Sequence, residues 1–113
     1  GKFAEPITAP FVIAGDANLD VNAGDGRRQA IVNLLNDPRV QDTAPQGNGP
    51  FDPTDTVDWS EPAPGDMRVD YVLPSRDWTV VNSGILWPLE GNALLEVAQE
   101  ASRHRLVWVD LKR

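Results

Sequence analysis

In the stretch AGDANLDVNAGDGRR, Asp16, Asn18, Asp20 and Asn22 alternate with apolar residues, and Gly24, Asp25 and Gly26 follow. Oxygen donors at every second position suit a hard cation such as Ca²⁺. An EF-hand loop also needs a Gly at its sixth position and a bidentate Glu at its twelfth. Counted from Asp16, those positions hold Val21 and Arg27. A calcium site over residues 16–26 is therefore the weaker reading. The stronger one starts from the apolar run FVIA just before, which reads as a strand ending in a carboxylate. Asp16 and Asn18 are two residues apart, so their side chains share one side of an extended chain. There a carboxylate can take a proton from water, and an amide can donate to a phosphate oxygen. Asp20, Asn22 and Asp25 are then turn and cap groups leading into a helix.

The single histidine, His104, stands just before the last apolar run, RLVWVDL. Asp70 lies inside the β-patterned segment MRVDYVLPS, on the face opposite Val69 and Tyr71. A carboxylate in a half-buried strand is costly unless paired. The pairing on offer is with one imidazole nitrogen of His104, which would fix the tautomer and leave the other nitrogen free for a substrate. Asp16 and Asn18 are expected to open into the same cavity as that second nitrogen.

The elements that must position these groups follow from period and punctuation. PFVIAG reads as a short buried strand stopped by Gly. DGRRQAIVNLLND reads as a helix: Ala30, Ile31, Leu34 and Leu35 share a face, Asp25 is the expected N-cap, and Asp37-Pro38 ends it. RVQD is a brief strand. From Thr43 to Asp66 the chain is rich in Pro, Gly and Asp, with no Lys or Arg between Arg39 and Arg68, and reads as a long surface loop. MRVDYVLPS alternates as a strand, WTVVNSGILW is a second strand with a bulge or bend at Gly84, and RLVWVDL is the last. NALLEVAQEAS has helical composition for one or two turns. Mainly antiparallel strands with one well-marked helix give an α+β class.

A chain of 113 residues is the size of one domain. Its net charge of −7 and scattered basic residues argue against an extended basic groove for nucleic acid. Without cysteine it has neither disulfides nor thiolate metal sites. No stretch approaches a membrane span and the start, GKFAEPITAP, has no targeting pattern, so a soluble protein of open compartment is expected.

VIAGDANLD, MRVDYVLPS and ASRHRLVWVDL, in this order, resemble the three C-terminal motifs of the endonuclease/exonuclease/phosphatase superfamily, the DNase I-like fold: a Gly-Asp-x-Asn strand end, a hydrophobic-Asp-Tyr strand, and a Ser-Asp-His before the last strand. DTVDWSEPAPGDMRVDYVLPS with SRHRLVWVDL further resembles a bacterial branch. The resemblance implies that residues 1–113 are the C-terminal half of a four-layer α/β/β/α sandwich. It also implies Mg²⁺- or Mn²⁺-assisted hydrolysis of a phosphoester, in a nucleic acid or a small molecule, by activated water. Asp16 would orient or deprotonate that water and Asn18 would hold the phosphate. His104 would hydrogen-bond the phosphate, and Asp70 would polarise the histidine. The chain departs from the pattern at Arg103, which stands where the motif has Asp. A cation cannot ligate Mg²⁺ but can neutralise a phosphate, which makes Arg103 a further substrate-binding candidate. No metal ligand is assigned firmly; Asp16 is the one on offer. The Glu and Asn motifs of the superfamily's first half are missing. The chain alone is therefore expected to be inactive and to need that half, or self-association through its exposed sheet. A degenerate, non-catalytic binding member of the same fold is the alternative.

Overall fold

A computed structural model describes residues 5–24 and 27–113. The elements run β1 (Val12–Asp16), α1 (Arg28–Leu35), β2 (Asp70–Pro74), β3 (Thr79–Leu86), α2 (Ala93–Ala101) and β4 (Leu106–Lys112). β1 pairs with β2 and β3 with β4, both antiparallel, giving two two-stranded sheets. The class is α+β, as the sequence predicts, and it agrees with a partial DNase I-like fold. Among the described residues, no helix is long and apolar enough to cross a membrane.

Alternation builds the first core. Val69, Tyr71 and Leu73 are buried, while Arg68, Asp70 and Val72 on the opposite face are only partly covered. Ile31 of α1 drops onto Tyr71 and Leu73 together with Val40, and Leu34 and Leu35 pack around them. The helix ends at Leu35, three residues ahead of Pro38, which disfavours helical dihedrals at Asp37. Its expected cap, Asp25, lies outside the described residues, as does Gly26.

Several details differ from the sequence reading. β1 is exposed along all five residues, because it pairs on one edge only and no described element covers its faces. RVQD contributes a single bridge, Val40 to Ser75, rather than a strand. The bulge in β3 falls at Val81, between Val80 and Asn82, and not at Gly84. Gly84 has another cause: a Cβ there would sit 2.7 Å from the Trp108 ring of the paired strand. The helix at 93–101 has nine residues rather than one or two turns, because the Asn92 side chain accepts the Leu94 N–H and caps it. Among the described residues there are two helices, the second where the sequence has helical composition.

The largest difference concerns the long loop. Its middle is not a surface excursion: Asp55, Thr56 and Val57 are buried, and Val57 is fully so. Val57 bridges Met67 on one side and His104 on the other. The Thr56 N–H donates to the Met67 carbonyl at 3.0 Å and the Arg105 N–H to the Thr56 carbonyl at 2.8 Å. A three-residue extended piece thus lies between the start of β2 and the approach to β4 and joins the two sheets. A small second core, Val57, Met67 and Val69 with Trp59 against it, forms at the join.

Candidate functional site

β1 delivers Asp16 at its last position, and the register sets it directly opposite Asp70, the first residue of β2. Like charges directly opposite each other destabilise a sheet unless something stands between them. Here it is His104. Its Nδ1 lies 2.8 and 3.0 Å from the two Asp70 carboxylate oxygens, and its Nε2 lies 3.8 Å from Asp16 Oδ2. A carboxylate only accepts, so Nδ1 carries the hydrogen towards Asp70, and Nε2 faces Asp16. A gap of 3.8 Å is too long for a hydrogen bond.

The surroundings hold these groups in place. The Thr56 hydroxyl accepts from the Val69 and Asp70 N–H groups at 3.0 and 3.1 Å, which fixes the backbone beneath the Asp70 carboxylate. The Ser102 hydroxyl accepts the His104 N–H at 3.0 Å. The Trp59 ring meets the imidazole edge-on, with centroids 6.0 Å apart. Asp16 is the most open of the three, its side chain half exposed, with Asp70 the least.

Asn18 adjoins this cluster through its backbone. Its backbone N–H donates to Asp16 Oδ1 at 2.8 Å, closing a turn in which Asn18 takes the left-handed φ of 54°. Asn18 also lines a neighbouring cavity of about 330 Å³ with Leu19, Met67 and Trp59. Asp20 is buried and turned inward. Its Oδ1 accepts from the Asn22 and Ala23 N–H groups and its Oδ2 from that of Arg68, which is the turn role read from the sequence. Arg103 is exposed, with its carbonyl bonded to the Asp58 N–H.

Thr56, Trp59 and Arg105 belong to the site's frame and were not singled out in the sequence. Thr56 and Trp59 sit in a Pro- and Asp-rich stretch with no period. The Arg105 guanidinium is buried, donates to the Ser102 carbonyl at 2.8 Å and lies over the Trp87 ring. An arginine in the otherwise apolar RLVWVDL was the one signal for it. Two acids of the loop are also perturbed. Asp55 is pushed up to about 6 by burial and by the charges of Asp52, Asp66 and Asp20. Asp66 is pushed up to about 6 by burial and by Asp58 and Glu61.

Set against known families, residues 2–104 match the description Endonuclease/Exonuclease/phosphatase family. The chain belongs to that family. Neither the curated proteins nor the solved structures yield a match. Endonuclease/exonuclease/phosphatase proteins are generally hydrolases acting on phosphoester bonds and are typically dependent on a divalent metal. Asp16, Asp70 and His104 each offer one ligand atom, and these lie within 4.8 Å of one another. Two carboxylates and one imidazole fit Mn²⁺, and Mg²⁺ where water completes the shell. Asp70 has both oxygens on Nδ1, so Asp16 Oδ2 and His104 Nε2 are the donors left free.

Proposed function

We propose that this chain carries the water-activating and phosphate-contacting part of a divalent-metal phosphoesterase. The observation that carries the reading is the rung Asp16–His104–Asp70: a fixed imidazole whose second nitrogen faces an open carboxylate across 3.8 Å. In the reaction, water attacks phosphorus in line and the bond from phosphorus to the leaving oxygen breaks. That oxygen keeps the electron pair and takes up a proton, giving an alcohol and a phosphate. Asp16 orients the water and accepts its proton. His104 contacts a phosphate oxygen, and Asp70 holds its ring. Asn18, reaching in from the adjacent cavity, donates to the phosphate. Asp16 would hold Mg²⁺ or Mn²⁺, whose chemistry would be to offset charge on the phosphate.

The exposed apolar residues of β1, with Leu86, Leu94, Val97 and Leu106 open elsewhere, support reading the chain as the C-terminal part of one larger sandwich. On that reading the 113-residue chain by itself turns over negligible substrate, since the superfamily's metal-binding Glu belongs to the other part. Phosphate binding is the test that does not depend on turnover. With inorganic phosphate and Mg²⁺ as probe, ¹H–¹⁵N spectra should shift first at His104 and at residues 16–18, and His104→Ala should remove those shifts. Shifts confined to other residues, or unchanged in His104→Ala, refute the assignment.

A further inference from the structure

We infer that Arg105 is a positioning residue for His104, its guanidinium clamping the backbone from which the imidazole is hung. The inference rests on the phosphoester reading above, in which His104 contacts the phosphate; Arg105 itself contacts neither phosphate nor metal and acts through the chain. The guanidinium reaches back past the histidine. Its Nη1 donates to the Ser102 carbonyl at 2.8 Å and, more weakly, to the Arg103 carbonyl at 3.4 Å. The Arg103 carbonyl belongs to the peptide group that enters His104, and it also accepts the Asp58 N–H at 2.9 Å. On the far side of the histidine, the Arg105 N–H donates to the Thr56 carbonyl at 2.8 Å. Both peptide groups bordering His104 are thus tied, one by the side chain of Arg105 and the other by its backbone.

Stability does not account for a guanidinium in this place. The Arg105 side chain is 2% exposed, whereas Asp58, its ion-pair partner, lies 3.5 Å away and is half exposed. Its Nε is buried with no partner among the described residues. Replacing a buried charge so loosely paired by an apolar side chain of similar volume is often neutral or stabilising. The Trp87 ring, 5.0 Å from the guanidinium, and the apolar start of β4 are surroundings that an apolar side chain would suit. Such a side chain could not hold the Ser102 and Arg103 carbonyls. What that hold secures is the imidazole, with Nδ1 2.8 Å from Asp70 and Nε2 3.8 Å from Asp16. At a reacting centre a displacement of about 1 Å can cost on the order of a hundredfold in rate, so a clamp on this backbone bears directly on turnover.

Arg105→Met separates placement from stability. The readout is the His104 Nδ1–H, which Asp70 holds, followed by its exchange with water in ¹⁵N-resolved spectra of the 113-residue chain. The methionine chain should unfold within about 4 °C of the parent Tm. Its ring hydrogen should nevertheless exchange about tenfold faster, the change that accompanies loss of a charge-assisted hydrogen bond from the group's support. Ile31→Val, buried in the other core, lowers stability without approaching the site and should leave the exchange within about twofold. Unchanged exchange in Arg105→Met overturns the inference, as does an acceleration that Ile31→Val matches, which would make the ring hydrogen a gauge of unfolding alone. Should the methionine chain not fold, Arg105→Lys carries the test. It keeps the charge and the aliphatic stem but offers one nitrogen where the guanidinium offers a planar fork, and it too should speed the exchange; exchange at the parent rate in the lysine chain overturns the inference. Neither readout uses phosphate. If inorganic phosphate with Mg²⁺ leaves His104 of the parent unshifted while the exchange rates behave as expected, the phosphoester reading fails and the clamp stands.

Discussion

Thr56→Val is the sharpest probe of how the site is held. The Thr56 hydroxyl, 1% exposed, accepts from two backbone N–H groups, Val69 at 3.0 Å and Asp70 at 3.1 Å. Valine keeps the shape and removes the acceptor. A buried donor left without a partner costs about 1–3 kcal/mol. Val69 is fully buried and takes the full penalty, whereas Asp70 is partly reachable by water and takes about half. The extra methyl returns roughly 1 kcal/mol of transfer free energy. The net loss is about 2 kcal/mol, equivalent to roughly 8–16 °C in Tm for a chain of this size. Thr56→Ser keeps the oxygen and loses only a methyl, for about 1 kcal/mol. Urea unfolding of both variants gives the comparison, and the ¹⁵N shifts of the His104 ring report whether Asp70 has moved. A valine variant within 1 kcal/mol of the parent, or a serine variant as unstable as the valine one, would show that the hydroxyl does not hold the strand.

Asp70→Asn should change the tautomer of His104, because the amide can donate to Nδ1 where the carboxylate could only accept. Imidazole ¹⁵N spectra should show the hydrogen moving towards Nε2, and in an active assembly turnover should fall about 10³-fold with a smaller change in substrate affinity; an unchanged ring spectrum would contradict it. Asp55→Asn concerns pH. The folded chain holds Asp55 at about 6 against an ordinary 3.8, so it binds more protons than the unfolded chain between those values, and stability falls as pH rises from about 4 through 6. Removing the charge should stabilise by about 1–2 kcal/mol at pH 7.5, after discounting the nominal shift for screening, and by little at pH 4. Thermal scans at the two pH values decide, and an equal gain at both would sink the argument.

The legible part of the fold was whatever repeats. The alternation of Val69, Tyr71 and Leu73 and the 3.6-residue spacing of Ile31, Leu34 and Leu35 each repeat, and each marked a face that the structure buries or packs into the core. The joining of Asp70 to His104 was legible for a different reason. The cost of an unpaired strand carboxylate left one imidazole as the natural partner, and the distance between them is 2.8 Å. Burial of β1 was not legible, because an apolar run says what a strand would cover and not whether the cover is present. The bulge at Val81 was misplaced because Gly84 looked like backbone freedom and turned out to be space for Trp108.

The loop from Thr43 to Asp66 shows why composition fails where function is built. Pro, Gly and Asp suppress regular hydrogen bonding, so the stretch reads as solvated. Buried extended backbone nevertheless needs only partners, and Thr56 and Val57 take theirs from segments on both sides, Met67 and the chain around His104. The same three residues that join the sheets therefore set Asp70 and His104 side by side, and Trp59 two positions on meets the imidazole edge-on. Asp16 comes to the group from the other sheet edge by strand register alone. The site thus depends on one strand end, one strand start and one irregular crossing, and only the first two have a sequence period to betray them. A change inside the crossing, such as Thr56→Val, should then disturb the geometry of His104 without altering Asp16, Asp70 or His104 themselves.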